Sequence, residues 1–383
     1  MRKYRRWSFL VLSVLILLVL CILLISTEGA GKTIIVTEDE YGFDRHLGIR
    51  HAINTAEDGD TLRVYEGMYR GGFNVNKSIH LIGNGSEVTK IFGSQNVVTI
   101  TAENVTLSGF HISGSQNLDG GASFTRDSWG IVVEADNCSI LNNNCSGNLD
   151  GIWVWGSQDT MIDNNIIDGN GEFGVSLQAV YQCIVRNNSC SLNGDTGIRL
   201  YNTNNCSIIG NTCSENEIGI DILWTGNCTI ERNVLRNNDE EGISIYRALE
   251  CSILDNLITQ NAEGIHISYS LGNHTAHNNS IFDNTDYGMR VLFIANFSIF
   301  AQENWWGENN GPYHPTKNKG GDGDRVSDMV LFEPWLDENG ELAYVEDTNT
   351  APLVVLITIL GLLFSILTYM IIVRKSPSHK ESQ

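Results

Sequence analysis

Four charged residues stand at equivalent places in a repeated phrase of the sequence, and their types suit acid–base chemistry on a sugar acid. They are Arg199, Asp221, His266 and Arg290, each two residues after a glycine. An arginine can neutralise a uronate carboxylate while a histidine or an aspartate moves a proton. The set therefore predicts a polysaccharide lyase or epimerase acting on uronate-containing polymers. A glycoside hydrolase needs two carboxylates about 5–10 Å apart, and Asp221 has no acidic partner in this series.

Aromatic residues accompany these charged positions. They are Trp153, Trp155, Tyr201, Trp224, Tyr246 and Tyr269. Exposed rings stack on the apolar faces of sugar rings, and nearby charged groups hydrogen-bond hydroxyls or carboxylates. The leading prediction is therefore a face that binds glycans or builds part of the cell envelope, with the enzyme as the alternative. A third interpretation is an ordinary solvated sheet face.

A phrase of glycine plus an apolar residue, repeated eight times, must position these side chains. The glycines are Gly130, Gly151, Gly174, Gly197, Gly219, Gly242, Gly264 and Gly288, spaced 21–24 residues apart. A sustained period of this length indicates a solenoid, in which each unit buries its apolar face against its neighbours.

Each unit contains three short strand patterns and no helical stretch. Ile198-Arg199-Leu200 alternates inward, outward, inward, which is the period of a half-buried strand. The simplest arrangement is a right-handed coil in which each strand pairs in parallel with its equivalent about 4.8 Å away. An asparagine column is predicted to stack its carboxamides inside the coil, where they can donate and accept along the column. Its members are Asn143, Asn165, Asn188, Asn211, Asn233, Asn256 and Asn279.

Two apolar segments near the termini, residues 7–25 and 353–373, have about the length of a spanning helix. Basic residues lie outside both, which predicts a cell-membrane protein with cytoplasmic termini and residues 28–351 extracellular. The first segment is either an uncleaved signal-anchor or a cleaved signal peptide. The predicted parts are the signal segment (1–27), an N-terminal cap (28–71), the repeats (72–303), a C-terminal cap (304–345), a linker (346–351), a transmembrane helix (352–373) and a cytoplasmic tail (374–383).

The charge balance restricts the partners. The formal net charge is −21, which excludes binding to a nucleic-acid backbone. Asp322, Asp324 and Asp328 are candidate calcium ligands, as are the acidic turns of successive coils, which include Glu241 and Glu263. The alternative for those turns is a hydrated acidic edge that discourages sideways sheet pairing.

Eight of the nine cysteines fall in the repeats. Other coils place Thr, Ile or Leu at the same positions, so the cysteines are interpreted as small core residues. A disulfide between stacked neighbours such as Cys183 and Cys206 is the alternative.

Two phrases outside the regular coils give the sequence a family resemblance. The opening phrase runs from Ala52-Ile53 through Gly59-Asp60-Thr61-Leu62-Arg63-Val64 to Gly67-Met68-Tyr69, and the closing phrase is Asn304-Trp305-Trp306-Gly307 with Gly311-Pro312. With the repeats they resemble right-handed parallel β-helix proteins, and more narrowly the NosD-like, carbohydrate-binding and sugar-hydrolase (CASH) group, including archaeal-type cell-surface members.

The resemblance covers about residues 33–337. It implies an all-β solenoid of about ten coils of 22–23 residues. The apolar face of residues 45–56 adds an N-terminal capping helix to this prediction, and the two apolar segments add flanking transmembrane helices. The resemblance leaves activity open, because the group mixes lyases, hydrolases, epimerases and binding proteins. It also implies a further alternative, a NosD-like metal-maturation accessory protein.

Overall fold

The chain coils into a rod of stacked parallel strands. The computed structural model describes residues 31–37, 48–115, 128–293 and 298–343. Among these residues, thirty short strands form four sheets, and every strand pairing is parallel. One eight-residue helix, α1 (Gly48–Thr55), precedes the coils. The predicted all-β parallel solenoid of about ten coils is confirmed.

The strands divide among the sheets as follows. The thirteen-stranded sheet contains β1 (Thr33–Val36), β2 (Thr61–Val64), β5 (His80–Gly83), β8 (Thr106–Ser108), β11 (Ser139–Leu141), β13 (Met161–Asp163), β15 (Ile184–Arg186), β17 (Ser207–Ile209), β20 (Thr229–Glu231), β23 (Ser252–Leu254), β26 (Thr275–His277), β29 (Ile299–Phe300) and β30 (Val330–Leu331). The ten-stranded sheet contains β4 (Phe73–Val75), β7 (Val98–Ile100), β10 (Trp129–Val133), β12 (Asp150–Trp155), β14 (Val175–Gln178), β16 (Thr196–Tyr201), β19 (Ile218–Leu223), β22 (Glu241–Tyr246), β25 (Glu263–Ser268) and β28 (Tyr287–Leu292). The four-stranded sheet contains β18 (Thr212–Ser214), β21 (Val234–Arg236), β24 (Leu257–Thr259) and β27 (Ser280–Phe282), and the three-stranded sheet contains β3 (Gly67–Arg70), β6 (Thr89–Phe92) and β9 (His111–Ser113).

The core is a column of aliphatic side chains in register. Ile198 pairs with Ile220, and Ile220 pairs with Ile243. All three are fully buried. Because equivalent residues stack, each coil presents its apolar side chains to the coils above and below, and the dry interior continues through the repeats.

The repeated glycine is required by close packing between coils. A Cβ atom on Gly264 would lie 2.5 Å from the carbonyl oxygen of Gly288 and 3.0 Å from Asn284 Nδ2. A Cβ on Gly219 would lie 2.5 Å from the Gly242 carbonyl oxygen. The two carbonyl contacts are shorter than a Cβ atom tolerates, so a side chain here would displace the neighbouring coil. The contact with the buried Asn284 shows that the glycine position faces the interior, as does the aliphatic residue that follows.

Two asparagine ladders, not one, run through the interior. In both ladders the side-chain oxygen of every member after the first accepts a hydrogen bond from the backbone N–H of the asparagine one coil earlier and, in most coils, from its Nδ2 as well. The first members, Asn143 and Asn148, accept from Phe110 N and Ser115 N. The first ladder contains the seven asparagines singled out in the sequence and ends on Asn304, with donor–acceptor distances of 2.9–3.2 Å. The second contains Asn148, Asn170, Asn193, Asn216, Asn238, Asn261 and Asn284, and ends on Asp324. In the coils from Asn143 to Asn284 the ladders satisfy buried polar groups at two bends of each coil.

The first and last coils are covered by irregular segments. Helix α1 packs against β1, β2 and β4 through its buried face, which includes Ile49 and Ile53. At the other end Trp306 and Phe332 are buried, with at most 1% of each side chain's surface exposed. These segments shield the ends of the apolar column, as terminal units of a solenoid must.

The cysteines of the repeats are buried and free. All eight lie in the core, and none forms a disulfide. Burial raises the pKa of Cys138 to about 11 and that of Cys251 to about 11. The cysteines therefore pack as small hydrophobic residues, and the alternative of a Cys183–Cys206 bridge is wrong.

The predicted cell-membrane localisation with terminal spanning helices is contradicted. In the part of the chain that the structure describes, no helix is long and apolar enough to cross a bilayer. Helix α1 has only eight residues, whereas a span needs about 20. The two apolar segments of the prediction, residues 7–25 and 353–373, lie outside the described residues.

Candidate functional site

The outward side of the ten-stranded sheet, here called the front face, carries most of the residues that the sequence singled out. Its central row runs over seven coils in direct register and consists of Trp153, Ser176, Arg199, Asp221, Ser244, His266 and Arg290. A second row at the strand ends consists of Trp155, Gln178, Tyr201, Leu223, Tyr246, Ser268 and Leu292. Parallel pairing at equivalent positions produces both rows.

The structure divides the four candidate catalytic residues into two pairs on neighbouring coils. Arg199 pairs in register with Asp221, and His266 with Arg290. Ser244 separates the pairs, so Asp221 and His266 lie two coils, or about 10 Å, apart.

Arg199 and Asp221 form the first pair. Arg199 Nε lies 4.0 Å from Asp221 Oδ2, and this buried Nε has no hydrogen-bond partner. The guanidinium lies over the ring of Phe173, 5.0 Å from its centroid. Burial raises the pKa of Asp221 to about 6, against the opposing effect of Arg199. The pair thus combines an arginine whose Nε lacks a hydrogen-bond partner with a carboxyl group whose pKa is about 6.

His266 and Arg290 join two glutamates, Glu241 and Glu263, in what is called the charged cluster below. His266 Nδ1 lies 2.8 Å from Glu263 Oε2 and 3.4 Å from Glu241 Oε1. Arg290 Nη1 donates to Glu263 Oε1 at 2.6 Å. The carboxylates of Glu241 and Glu263 raise the pKa of His266 to about 9. Burial opposes ionisation of Glu263, but His266 and Arg290 outweigh it and hold its pKa below the usual range.

Two groups of aromatic rings flank these charges. Trp153 stacks on Trp129 at 5.5 Å between centroids and on Trp155 at 6.2 Å. Farther along the rod, an aromatic row formed by Trp224, Tyr246, Tyr269 and Phe293 crosses four coils, with successive centroid distances of 6.4, 5.5 and 4.8 Å. Trp155, Trp224 and Tyr269 each expose 47–48% of their surface, and Phe293 exposes 69%. The rings are therefore available for stacking.

The aromatic row is held partly by left-handed backbone. Trp224, Tyr269 and Phe293 have φ angles of 55°, 52° and 53°. Bulky residues rarely adopt this region, which costs about 1–2 kcal/mol for a residue with a Cβ atom. Asn202 occupies the equivalent place after β16 with φ of 54°, so the turn itself does not require an aromatic side chain.

The three candidate calcium ligands do not form a converging group among the described residues. Asp324 accepts from Asn284 Nδ2 at 2.8 Å and closes the second ladder. Asp322 accepts from Asn310 Nδ2, and Asp328 lies 3.2 Å from His314 Nε2. The calcium assignment remains a prediction without a common ligand geometry.

Sequence reasoning missed the roles of Glu241 and Glu263, which it grouped with the acidic turns. Strict alternation places the residue before each repeat glycine inside the coil. Gly264 and Ile265 both face inward, so Glu263 and His266 meet on the same face although they are three residues apart. A glutamate before the glycine in two successive coils was the available signal.

The fold has known counterparts of low sequence identity. The A-module of a mannuronan C-5 epimerase from Azotobacter vinelandii matches 64% of this chain and 74% of its own, at 16% identity and a TM-score of 0.55. The enzymatically active domain of tailspike protein 2 from bacteriophage CBA120 matches 78% of this chain at 16% identity and a TM-score of 0.58, and this chain spans half of its length. A family 28 exopolygalacturonase from Yersinia enterocolitica matches 70% of this chain and 67% of its own, at 11% identity and a TM-score of 0.51.

Family membership rests on the sequence as well as on the fold. No curated protein matches the chain. The family model for the right-handed β-helix region matches residues 66–223 and 150–293, which together span more than half of the chain. These residues contain the glycine phrase, the front face and nearly all of both asparagine ladders. The chain therefore belongs to the right-handed β-helix family.

Proposed function

We propose that the front face binds an extended glycan. The observation that carries this proposal is the exposure of aromatic rings along one face of a rigid rod: the tryptophans of β12 and the aromatic row lie on the same sheet. Rings in successive coils offer repeated apolar platforms to a chain of sugar rings, and Arg199 and Arg247 lie beside them to bind hydroxyl or carboxylate groups. Arg247 also lies 4.5 Å from the ring centroid of Trp224.

Two further facts support a carbohydrate ligand. The left-handed backbone at Trp224, Tyr269 and Phe293 is energetically unfavourable for bulky residues. Strain of this kind at exposed aromatic residues favours a role in binding over a role in stability. The similar folds include an epimerase named for mannuronan and an exopolygalacturonase.

Binding can be tested by affinity electrophoresis of the full chain in gels that contain alginate, polygalacturonate or neutral dextran. We expect retardation by at least one polymer, reduced at least fivefold in apparent affinity by Trp153→Ala and by Tyr201→Ala. Tyr181→Ala is the matched control, because Tyr181 is an exposed tyrosine (42%) outside the ten-stranded sheet. Binding that survives both front-face changes would refute this site.

A second candidate function, a uronate lyase or epimerase, is favoured by the Arg199–Asp221 pair. A uronate carboxylate bound by the exposed part of the Arg199 guanidinium would lie beside the Asp221 carboxylate, because the Arg199 side chain is 31% exposed and lies 4.0 Å from Asp221. Arg199 would then neutralise the substrate's charge, and Asp221 would take the proton from the carbon next to the carboxylate. A lyase then expels the leaving group, whereas an epimerase returns a proton on the opposite face.

Catalysis can be separated from binding with two assays on the same polymers. Absorbance of the unsaturated product measures the lyase reaction, and proton NMR of the polymer measures epimerisation. Asp221→Asn should abolish turnover and retain binding, and Arg186→Gln, a change to an exposed arginine of β15, should leave both unchanged. If neither reaction occurs on any uronate polymer that binds, the enzyme hypothesis is wrong and the binding function remains.

The finer assignment to the NosD-like group, with the metal-maturation role that it implies, stays a prediction.

A further inference from the structure

Three potential metal ligands of the charged cluster converge on one point of the front face. Glu241, Glu263 and His266 each offer a ligand atom, and these atoms lie within 4.8 Å of one another. His266 Nδ1 is 2.8 Å from Glu263 Oε2, yet both are buried atoms without a hydrogen bond of acceptable geometry, and so is Glu241 Oε2. The entire Glu263 residue is only 7% exposed. A buried carboxylate oxygen without a partner, such as Glu241 Oε2, is unfavourable, and a shared cation would satisfy it.

We infer that Glu241, Glu263 and His266 bind one divalent transition-metal ion such as Mn²⁺ or Zn²⁺. One imidazole nitrogen with two carboxylates is a ligand set that suits these ions, whereas Ca²⁺ takes six to eight oxygen ligands. Metal–ligand bonds of about 2.0–2.2 Å place neighbouring ligand atoms about 2.8–3.6 Å apart in tetrahedral or octahedral geometry. The observed nitrogen–oxygen distances of 2.8 and 3.4 Å are close to that range.

Arg290 supports the site from the next coil, where it pairs in register with His266. Its Nη1 donates to Glu263 Oε1 at 2.6 Å, which orients the carboxylate and leaves Oε2 directed to His266. Outer partners of this kind fix the orientation of metal ligands. With a neutral imidazole, two carboxylates and one arginine give a net charge of −1, which favours a divalent cation.

The cluster also has an open side. The side chains of His266 and Glu241 are 19% and 17% exposed, and both lie on the front face. Three protein ligands on an accessible surface leave coordination positions for water or for an oxygen ligand. The inference does not depend on glycan binding, because the three ligands are present in the chain itself.

The competing arrangement is a metal-free ion-pair cluster, in which a protonated His266 bridges the glutamates. Titration of the full chain with Mn²⁺, followed by electron paramagnetic resonance of the free ion, distinguishes the two. We expect one saturable equivalent, displaced by Zn²⁺ but not by the same concentration of Ca²⁺. Glu241→Gln, Glu263→Gln and His266→Gln should each weaken binding about tenfold or more.

Glu240→Gln is the matched control, because Glu240 is an exposed neighbour that loses the same charge outside the ligand group. Its affinity for Mn²⁺ should equal that of the unchanged protein. Mn²⁺ should also raise the thermal unfolding midpoint of the unchanged protein and of Glu240→Gln, but not that of Glu263→Gln. Absence of saturable binding, or equal weakening by Glu240→Gln, would overturn the inference and indicate only diffuse attraction to the acidic surface.

Discussion

Replacing one asparagine in the middle of the first ladder by alanine should lower the free energy of unfolding of the rod, because groups of neighbouring coils depend on its amide. Asn211 is fully buried. Its Oδ1 accepts from Asn188 N and Asn188 Nδ2, both at 3.0 Å, and its Nδ2 donates to the Val185 carbonyl at 2.9 Å. In Asn211→Ala the buried Asn188 backbone N–H loses its acceptor, at a cost of about 1–3 kcal/mol. The Val185 carbonyl remains in the β15–β17 ladder and loses only a second hydrogen bond, worth about 0.5–1.5 kcal/mol, and Asn188 Nδ2 keeps its bond to Ile162. The predicted loss is therefore about 1.5–4.5 kcal/mol.

Urea unfolding of the full chain, followed by circular dichroism and by tryptophan fluorescence, measures this loss. Ser207→Ala changes a half-exposed residue of β17, four positions earlier, and should alter the free energy of unfolding by less than about 0.5 kcal/mol. The double change Asn211→Ala with Asn233→Ala should cost less than the sum of the single changes, because the two residues share bonds. If Asn211→Ala costs no more than Ser207→Ala, the ladder is not what satisfies the bend.

Three further predictions concern acid sensitivity, the aromatic row and the thiols. Burial lowers the pKa of His274 to about 4 from 6.5. As the pH falls, the unfolded chain therefore binds a proton at this histidine before the folded chain does. The free energy of unfolding should decrease by about 3 kcal/mol in total between pH 6.5 and pH 4. His274→Thr, which places the residue found at Thr160 in the same column, should remove that part of the pH dependence in urea unfolding at a series of pH values. Phe293→Asn should change the free energy of unfolding by less than about 1 kcal/mol, because relief of left-handed backbone strain offsets the lost stacking on Tyr269. The same change should lower glycan affinity in the gel assay. A large destabilisation would show that the ring has a structural role. The thiols of Cys138 and Cys251 should react with a disulfide reagent about 100-fold more slowly at pH 8 in the folded chain than after denaturation. The reason is that a pKa raised from 9.0 to about 11 reduces the thiolate fraction by that factor. Rapid labelling of the native protein would contradict burial.

The repeat made the fold accessible from sequence. Alternation at Ile198-Arg199-Leu200, repeated at a constant interval, predicts parallel coils and assigns the central row to one face. Each residue's neighbours are set by the period, so few alternatives remain. The same reasoning placed the cysteines inside, because Thr160 substitutes for them in the column.

The charged cluster was not accessible from alternation alone. Gly264 and Ile265 both face the interior, so Glu263 points to the outer face, where strict alternation would place it inside. This change depends on the close approach of neighbouring coils at the glycine. The second ladder was readable in principle, since each of its members follows a member of the first by five residues. Localisation was predicted from hydropathy at the termini, and the described part of the chain contains no helix that supports it.

The ladders also determine how the length of the rod can change. From Asn143 and Asn148 onward, each coil offers an equivalent acceptor and equivalent donors to its neighbours, until Asn304 and Asp324 end the two series. A coil could therefore be duplicated or removed as a unit without leaving a mismatched joint in the interior. The outer rows do not share this tolerance: loss of the coil that carries Ser244 would bring Asp221 directly beside His266, creating a different arrangement of charges on the same scaffold.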